Sequence, residues 1–379
     1  MPYAAALSEH PVGTHAAEEV ADKVAASIGT APDAALLFLT APHSEAVGEI
    51  AAVVRGRLQP SALIGASAVS VVGGDLEIEE RPAVSLWAAR LEGVTPVRFT
   101  AFRDGDAIRI EGPGKETLES AHTLLLLPDP FTFPVGDLVE QLAVDHPEIL
   151  VVGGLASAAQ RPGDNRLVLD DQVFRDGAVG LLLGGPTRVT AVVSQGCRPI
   201  GRPLVVTKAE GNLIYELAGR TAYDQLASLL DELSDEDQMR VVQGLHIGRV
   251  IDEHKTDFGR GDFLIRGILG VDERTGAMAV GDKVSIGSII QFQVRDAVSA
   301  DEDLHQLMDG RAADGALLFT CNGRGTHLFS EPHHDAGLVS RMLDRVPIGG
   351  MFCAGEVGPV GGRSFVHGFT VSLALFHDG

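Results

Sequence analysis

The sequence predicts an α/β chain of mixed α+β type, built as two related mixed β-sheets with outer helices and internally duplicated. Three observations point there. Short apolar runs bounded by turn residues alternate with stretches of helical periodicity. The unit strand, helix, strand ending in glycine can be drawn three times, from Ala35-Leu36-Leu37-Phe38-Leu39, from Leu124-Leu125-Leu126-Leu127 and from Ala316-Leu317-Leu318-Phe319. At 379 residues the chain also exceeds the usual size of one hydrophobic core, so two domains or one duplicated domain is expected.

In chain order, residues 1–14 read as weakly structured, and a helix is predicted from near Thr14 to Gly29, with Glu18 and Glu19 close to its positive end. Ala35–Thr40 is a continuous apolar run, a buried-strand signal. Ser44 is placed to cap a helix whose Val47, Ile50, Val53 and Val54 share one face. A strand at Ala62-Leu63-Ile64 leads to Gly65, and another runs from Ala83 to Leu91. The pattern returns with Leu124–Leu127, a helix carrying Val135, Leu138 and Leu142, and Ile149–Val152 running into Gly153. Gly65 and Gly153 each stand 26 positions beyond the end of the preceding run, and Gly349 stands 30 beyond Phe319. Copies separated by unlike insertions imply duplication rather than a solenoid, with Gly65, Gly153 and Gly349 as equivalents. The stretch 186–312 is the least periodic. It holds strands at Val189–Val193 and Leu204–Val206, acidic helices near 222–233 and 235–243, strand pairs over 263–295, and a helix at 301–308. Asn212 and residues 270–276 carry hairpin-turn chemistry. The domain division expected is 1–30, 31–215 and 216–379.

Composition narrows the function. A net charge of −22 repels phosphate backbones and anionic lipid, so neither nucleic acid nor membrane is expected as a partner. With no basic leader, and with apolar runs such as Ala178–Leu183 far short of a membrane span, a cytoplasmic location is expected. Three widely spaced cysteines, Cys197, Cys321 and Cys353, argue against a disulfide framework or a zinc ribbon. His333-His334 and the pair His246 and His254 lack metal-ligand spacing, so no metal or cofactor is expected. Gly112-Pro113-Gly114-Lys115-Glu116-Thr117 lacks the upstream glycine and the Ser or Thr of a phosphate loop, and is read as a turn.

The densest chemistry lies near the C-terminus. Ala316–Thr320 opens into Cys321-Asn322-Gly323-Arg324-Gly325, and Val346-Pro347-Ile348 feeds a glycine-rich run through Cys353, Gly355, Glu356 and Gly358 to His367-Gly368-Phe369-Thr370. A thiol, a guanidinium, a carboxylate and an imidazole are held in segments where backbone can approach a ligand closely. The guanidinium of Arg324 suits a carboxylate or phosphate, although Glu356 is an alternative, structural partner. Arg198, between Cys197 and Pro199, is a further candidate. Arg295-Asp296 reads as a local ion pair. Cys321 is either a reactive strand-end thiol or an inert buried one.

These motifs resemble the FIST family, named for F-box and intracellular signal transduction proteins. The N-terminal pattern of that family matches Ile64-Gly65-Ala66-Ser67 and the strand at Ser85-Leu86. The C-terminal pattern matches Gly219–Tyr223, Arg295-Asp296, Cys321–Gly325, Gly355–Gly358 and His367–Thr370. The resemblance spans about residues 30–378, and Ser364 departs from it where asparagine is expected. It implies FIST N-terminal and C-terminal domains and a sensory role in which a small molecule, an amino acid or similar metabolite, is bound. Signalling would then pass through a separate protein partner, as the chain carries no kinase, cyclase, chemoreceptor or F-box part. The expected ligand site comprises Cys321, Asn322, Gly323, Arg324, Gly325, Glu356 and His367, with Arg198, between the two halves of the chain. Arg324 would take a ligand carboxylate and Glu356 its ammonium. No catalytic residue is assigned; were the chain a cysteine-dependent enzyme, Cys321, His367 and Glu356 would serve. A protein-interaction adaptor using the acidic helices is the other alternative.

Overall fold

The computed structural model describes residues 2–105, 107–255 and 257–378. The chain forms two compact units. One comprises residues 1–193, 305–366 and 370–379, the other 194–304 with 367–369. The second unit nearly coincides with the aperiodic stretch 186–312. The expected sequence division at 215/216 lies within its span.

In the first unit the three-fold repeat is realised as three β-α-β units, each with its own sheet. Ala34–Thr40 and Ala62–Ala68 pair in parallel around the helix Val47–Leu58. Thr123–Pro128 and Leu150–Gly154 do so around Val135–Asp145. Gly315–Cys321 and Ile348–Cys353 do so around His334–Met342. An antiparallel neighbour then joins each first strand: Val84–Ala89, Ala178–Leu183 and Thr370–His377 respectively. In place of two related sheets there are therefore three, with a fourth in the second unit.

The sheets share strands in a cycle. The hairpin that follows the first repeat, Ser70–Gly73 and Leu76–Glu79, leaves its own sheet and pairs with Ile348–Cys353 of the third. The hairpin after the second repeat, Leu167–Leu169 and Gln172–Phe174, pairs with Ala62–Ala68 of the first. The strand after the third, Glu356–Val360, pairs with Leu150–Gly154 of the second. One face of each sheet contributes to a common core that contains Leu36, Phe38, Trp87, Leu125, Leu181, Phe319, Met351 and Phe376. Each large apolar side chain buried there stabilises the fold by about 1.5–3 kcal/mol. Outer helices cover the opposite faces of the first two sheets. Val20, Val24, Ile50 and Val54 pack on Leu37 and Leu39, and Leu138 and Leu142 pack beside Leu124 and Leu126.

A glycine in each second strand makes the parallel pairing close. A Cβ on Gly65, Gly153 or Gly350 would stand 2.4, 2.0 or 1.9 Å from the carbonyl oxygen of Leu37, Leu126 or Leu318. The third equivalent is thus Gly350; Gly349 faces the Trp87 side chain. Two further local expectations change. Residues 3–8 form a strand, antiparallel to Val84–Ala89, because alternate small residues fit it under the first helix. Ser44 lies in a short 3-10 turn, and its hydroxyl does not cap the following helix.

The second unit is a seven-stranded antiparallel sheet running Cys197–Glu210, Ile289–Arg295, Leu245–Val250, Phe263–Asp272, Ala277–Val280, Leu213–Leu217, Arg220–Thr221. The acidic helices are present as Ala222–Glu232 and Asp235–Gln243, capped by Thr221 and Ser234. Their apolar sides join Ile200, Leu217, Ile247, Phe292 and Val294 in a separate core.

Candidate functional site

Cys321 and Cys353 end the two parallel strands of the third repeat and are in register. In open α/β sheets this carboxyl edge is where ligands bind. The turn after Cys321 is closed by backbone: Asn322 N donates to Cys353 O at 2.9 Å and Arg324 N to Cys321 O at 2.9 Å. Asn322 is exposed and Gly323 partly so, while Arg324 and Gly325 are buried. Gly325 has φ +55°, and a Cβ there would meet Phe352 and the Glu79 carboxylate at 2.8 Å. That position therefore takes glycine.

Arg324 is fully buried, and its guanidinium forks onto Asp335, Nε to Oδ2 and Nη2 to Oδ1, both at 2.8 Å. Thr320 Oγ1 donates to the same carboxylate at 2.8 Å. The Arg324 guanidinium carbon lies 5.2 Å from the centre of the Phe329 ring, which in turn stacks on His334. Asp335 was not singled out in the sequence, where Glu356 was the alternative partner for Arg324. An aspartate in the second position of a helix reads as an ordinary first-turn carboxylate. Although burial opposes ionisation, Arg324 holds Asp335 well below the usual carboxylate range.

Glu77 is the second residue the sequence did not reveal. It arrives on the hairpin from the first repeat, and its Oε1 accepts from Ala336 N at 2.9 Å. Burial and the neighbouring Asp335 push its carboxyl up to about 8. The hairpin is pinned by Glu79, which accepts from Thr326 N and Oγ1. Glu356, opposite Gly154 in its sheet, is fully buried; its Oε2 accepts from Thr370 N at 3.1 Å and Thr370 Oγ1 at 2.7 Å. Burial raises it to about 8 despite those donors and the Arg324 charge.

Cys321, Arg324 and Glu356 thus share one buried cluster, joined by Asp335 and Glu77. Three of its polar atoms, Arg324 Nη1, Glu356 Oε1 and Glu77 Oε2, make no hydrogen bond among the described residues.

Two protein-family comparisons match. The FIST N domain covers residues 33–220 and the FIST C domain residues 222–359. The chain belongs to the FIST family. FIST domains are associated with signal transduction. The chain is 43% identical over 371 residues to the uncharacterized protein MT0656 of Mycobacterium tuberculosis strain CDC 1551 / Oshkosh, which covers 96% of this chain and 94% of that one. Its likeness to the uncharacterized protein Mb0898c of Mycobacterium bovis has the same identity and coverage.

The remaining candidates of this FIST chain lie in the second unit. Arg198 donates to Asp296 at 3.0 Å and to Asp237, so its guanidinium is engaged by carboxylates of the unit itself. Asp296 pairs with Arg198, and the Arg295 guanidinium lies 5.5 Å from the centre of the Phe369 ring. His367 is buried and belongs to the second unit. Ser364, which departs from the FIST pattern, bridges the backbone of Val151, donating to its carbonyl at 3.0 Å and accepting from its N–H at 3.2 Å. Among the described residues no group of three His, Cys, Asp or Glu is arranged to hold a metal, and no helix is long and apolar enough to cross a membrane.

Proposed function

We propose that this FIST chain is a small-ligand sensor whose recognition site is the buried cluster at Arg324 and Glu356, and that it passes binding on to a separate signalling partner. One observation carries the reading. Three unsatisfied polar atoms, one cationic and two from carboxyl groups, lie in a single buried cluster at the carboxyl edge of a β-α-β unit. Buried polar groups are normally satisfied, and a cluster of exceptions asks for a partner. Arg324 is positioned by Asp335, so Nη1 is the N–H left for a ligand oxygen, while Glu356 Oε1 and Glu77 Oε2 suit a donor such as an ammonium. A small amino acid or similar zwitterion offers that combination. Entry is by displacement of the exposed turn at Asn322 and Gly323, which leaves the strands in place.

Thermal-shift and calorimetric screening of amino acids, amines and carboxylic acids tests this. A true ligand at a hundred times its Kd stabilises the protein by about 2.7 kcal/mol, and Glu356→Gln abolishes the shift for ammonium-bearing compounds. A panel in which no compound moves the wild-type melting temperature rules the reading out.

A further inference from the structure

Cys321 and Cys353 are direct partners in the parallel pairing. By strand alternation Cys321 shares the face of Leu317 and Phe319, and Cys353 that of Met351. Those four residues other than Cys321 all belong to the common core. The two Cβ atoms therefore project to the same side. Neighbouring strands lie about 4.8 Å apart, inside the Cα separation of about 4.4–6.8 Å that a disulfide accepts. Cys353 is fully buried, and its thiol donates to Met351 O at 3.4 Å. Cys321 is 5% exposed beneath the turn and is the one of the two with any solvent contact.

The surroundings of Cys321 suit a thiolate. Gly323 N donates to its sulfur at 3.5 Å. The Arg324 guanidinium is close enough to interact with its charge. The thiol donates to Asn322 Oδ1 at 3.8 Å, and the neighbouring Glu356, whose carboxyl burial raises to about 8, is an acid that can supply a proton to a leaving group.

We propose that Cys321 and Cys353 form a thiol redox pair whose substrate class is a small hydroperoxide, with Cys321 the attacking and Cys353 the resolving residue. The Cys321 thiol gives its proton to solvent, and Glu356 enters the step as a neutral acid that solvent reprotonates afterwards. The thiolate attacks one peroxide oxygen, the O–O bond breaks, and the departing hydroxide takes the proton from Glu356 to leave as water, or as an alcohol from an organic hydroperoxide. The Cys353 thiol then attacks the Cys321 sulfenic sulfur. An S–S bond forms, the S–O bond breaks, and hydroxide leaves as water with the Cys353 proton. Two thiols are oxidised by two electrons and one peroxide is reduced. Peroxide is small and uncharged, as a thiol reached through a tight turn requires, and Arg324 Nη1, which makes no hydrogen bond among the described residues, can polarise its oxygens.

The inference is independent of ligand binding: a chain that binds nothing from the panel can still cross-link, and the converse holds. The test treats the reduced, full chain with hydrogen peroxide, alkylates the remaining thiols after denaturation, and maps peptides without reduction. The expected product is an intramolecular Cys321–Cys353 peptide, formed at least about tenfold faster than Cys197 is oxidised in the same molecules. Cys353→Ser instead accumulates a sulfenic acid on Cys321 that dimedone traps, and Glu356→Gln slows its formation by at least about tenfold. Oxidation of Cys321 no faster than Cys197, or wild-type Cys321 proceeding to sulfinic acid without the cross-linked peptide, overturns the proposal. Because the decisive comparison is internal to the wild-type chain, it does not depend on any variant folding.

Discussion

Replacing Glu356 by glutamine keeps the shape of the side chain and an acceptor for Thr370, but removes the ionisation that the folded protein resists. The carboxyl sits at about 8 when buried, against an ordinary value of 4.5. Between those values the folded chain holds a proton that the unfolded chain has released. Linkage then requires the contribution of Glu356 to be most favourable below pH 4.5 and to be lost as pH rises towards 8. The full difference corresponds to about 5 kcal/mol, of which about 3 kcal/mol has developed by pH 7. Glu77, also raised to about 8, adds a slope of the same sign. His246, lowered by burial to about 4, acts oppositely between pH 4 and 6.5 and is silent above that. Denaturant unfolding of wild type and Glu356→Gln from pH 4.5 to 8.5 therefore reads the effect as a difference. The variant should gain on the wild type steadily with pH, most cleanly between 6.5 and 8. A difference that stays flat over that range refutes the claim that Glu356 is buried as a neutral acid.

Asp335→Asn leaves the Arg324 charge buried without its counter-ion and should cost about 3–5 kcal/mol by chemical denaturation, whereas Arg324→Met combined with Asp335→Leu should recover most of it. Wild-type stability in the single variant would contradict the buried pair. Gly350→Ala drives a Cβ into the Leu318 carbonyl and should abolish soluble expression or lower the melting temperature severely. Gly56→Ala, in a helix with open space around it, should be neutral or stabilising by up to about 1 kcal/mol. Ser234→Ala, which removes the cap that accepts from Asp237 N, should cost about 1 kcal/mol.

The β-α-β repeat was legible because its strands are buried on both faces and so read as unbroken apolar runs: Leu36–Leu39, Leu124–Leu127 and Leu317–Phe319 all belong to parallel pairs. Their outer hairpins were not legible as sheet partners, since nothing local in Ser70–Glu79 records that its mate lies at 348–353. The same distance hid Glu77 from the site. Cys321, Arg324 and Glu356 were visible because glycine-rich turns set charged residues apart from their surroundings. Asp335 was not, as a helix start is where a carboxylate is unremarkable. Tyr3–Ser8 escaped because its small alanines carry little apolar weight, although burial of one face against the first helix makes it a strand.

The cyclic sharing of hairpins also constrains how the chain is made. The sheet of the first repeat has all its strands once residue 174 has been synthesised. The hairpin at 70–79, by contrast, waits for a partner strand that begins at residue 348, and until then it offers a bare edge to any other strand nearby. Domains fold in order of synthesis at about 5–20 residues per second, so that edge stays open for tens of seconds. A ribosome-bound chain stopped before residue 348 is thus the form of this protein most dependent on a chaperone, and Glu77 joins Arg324 and Asp335 only when the third repeat closes around it.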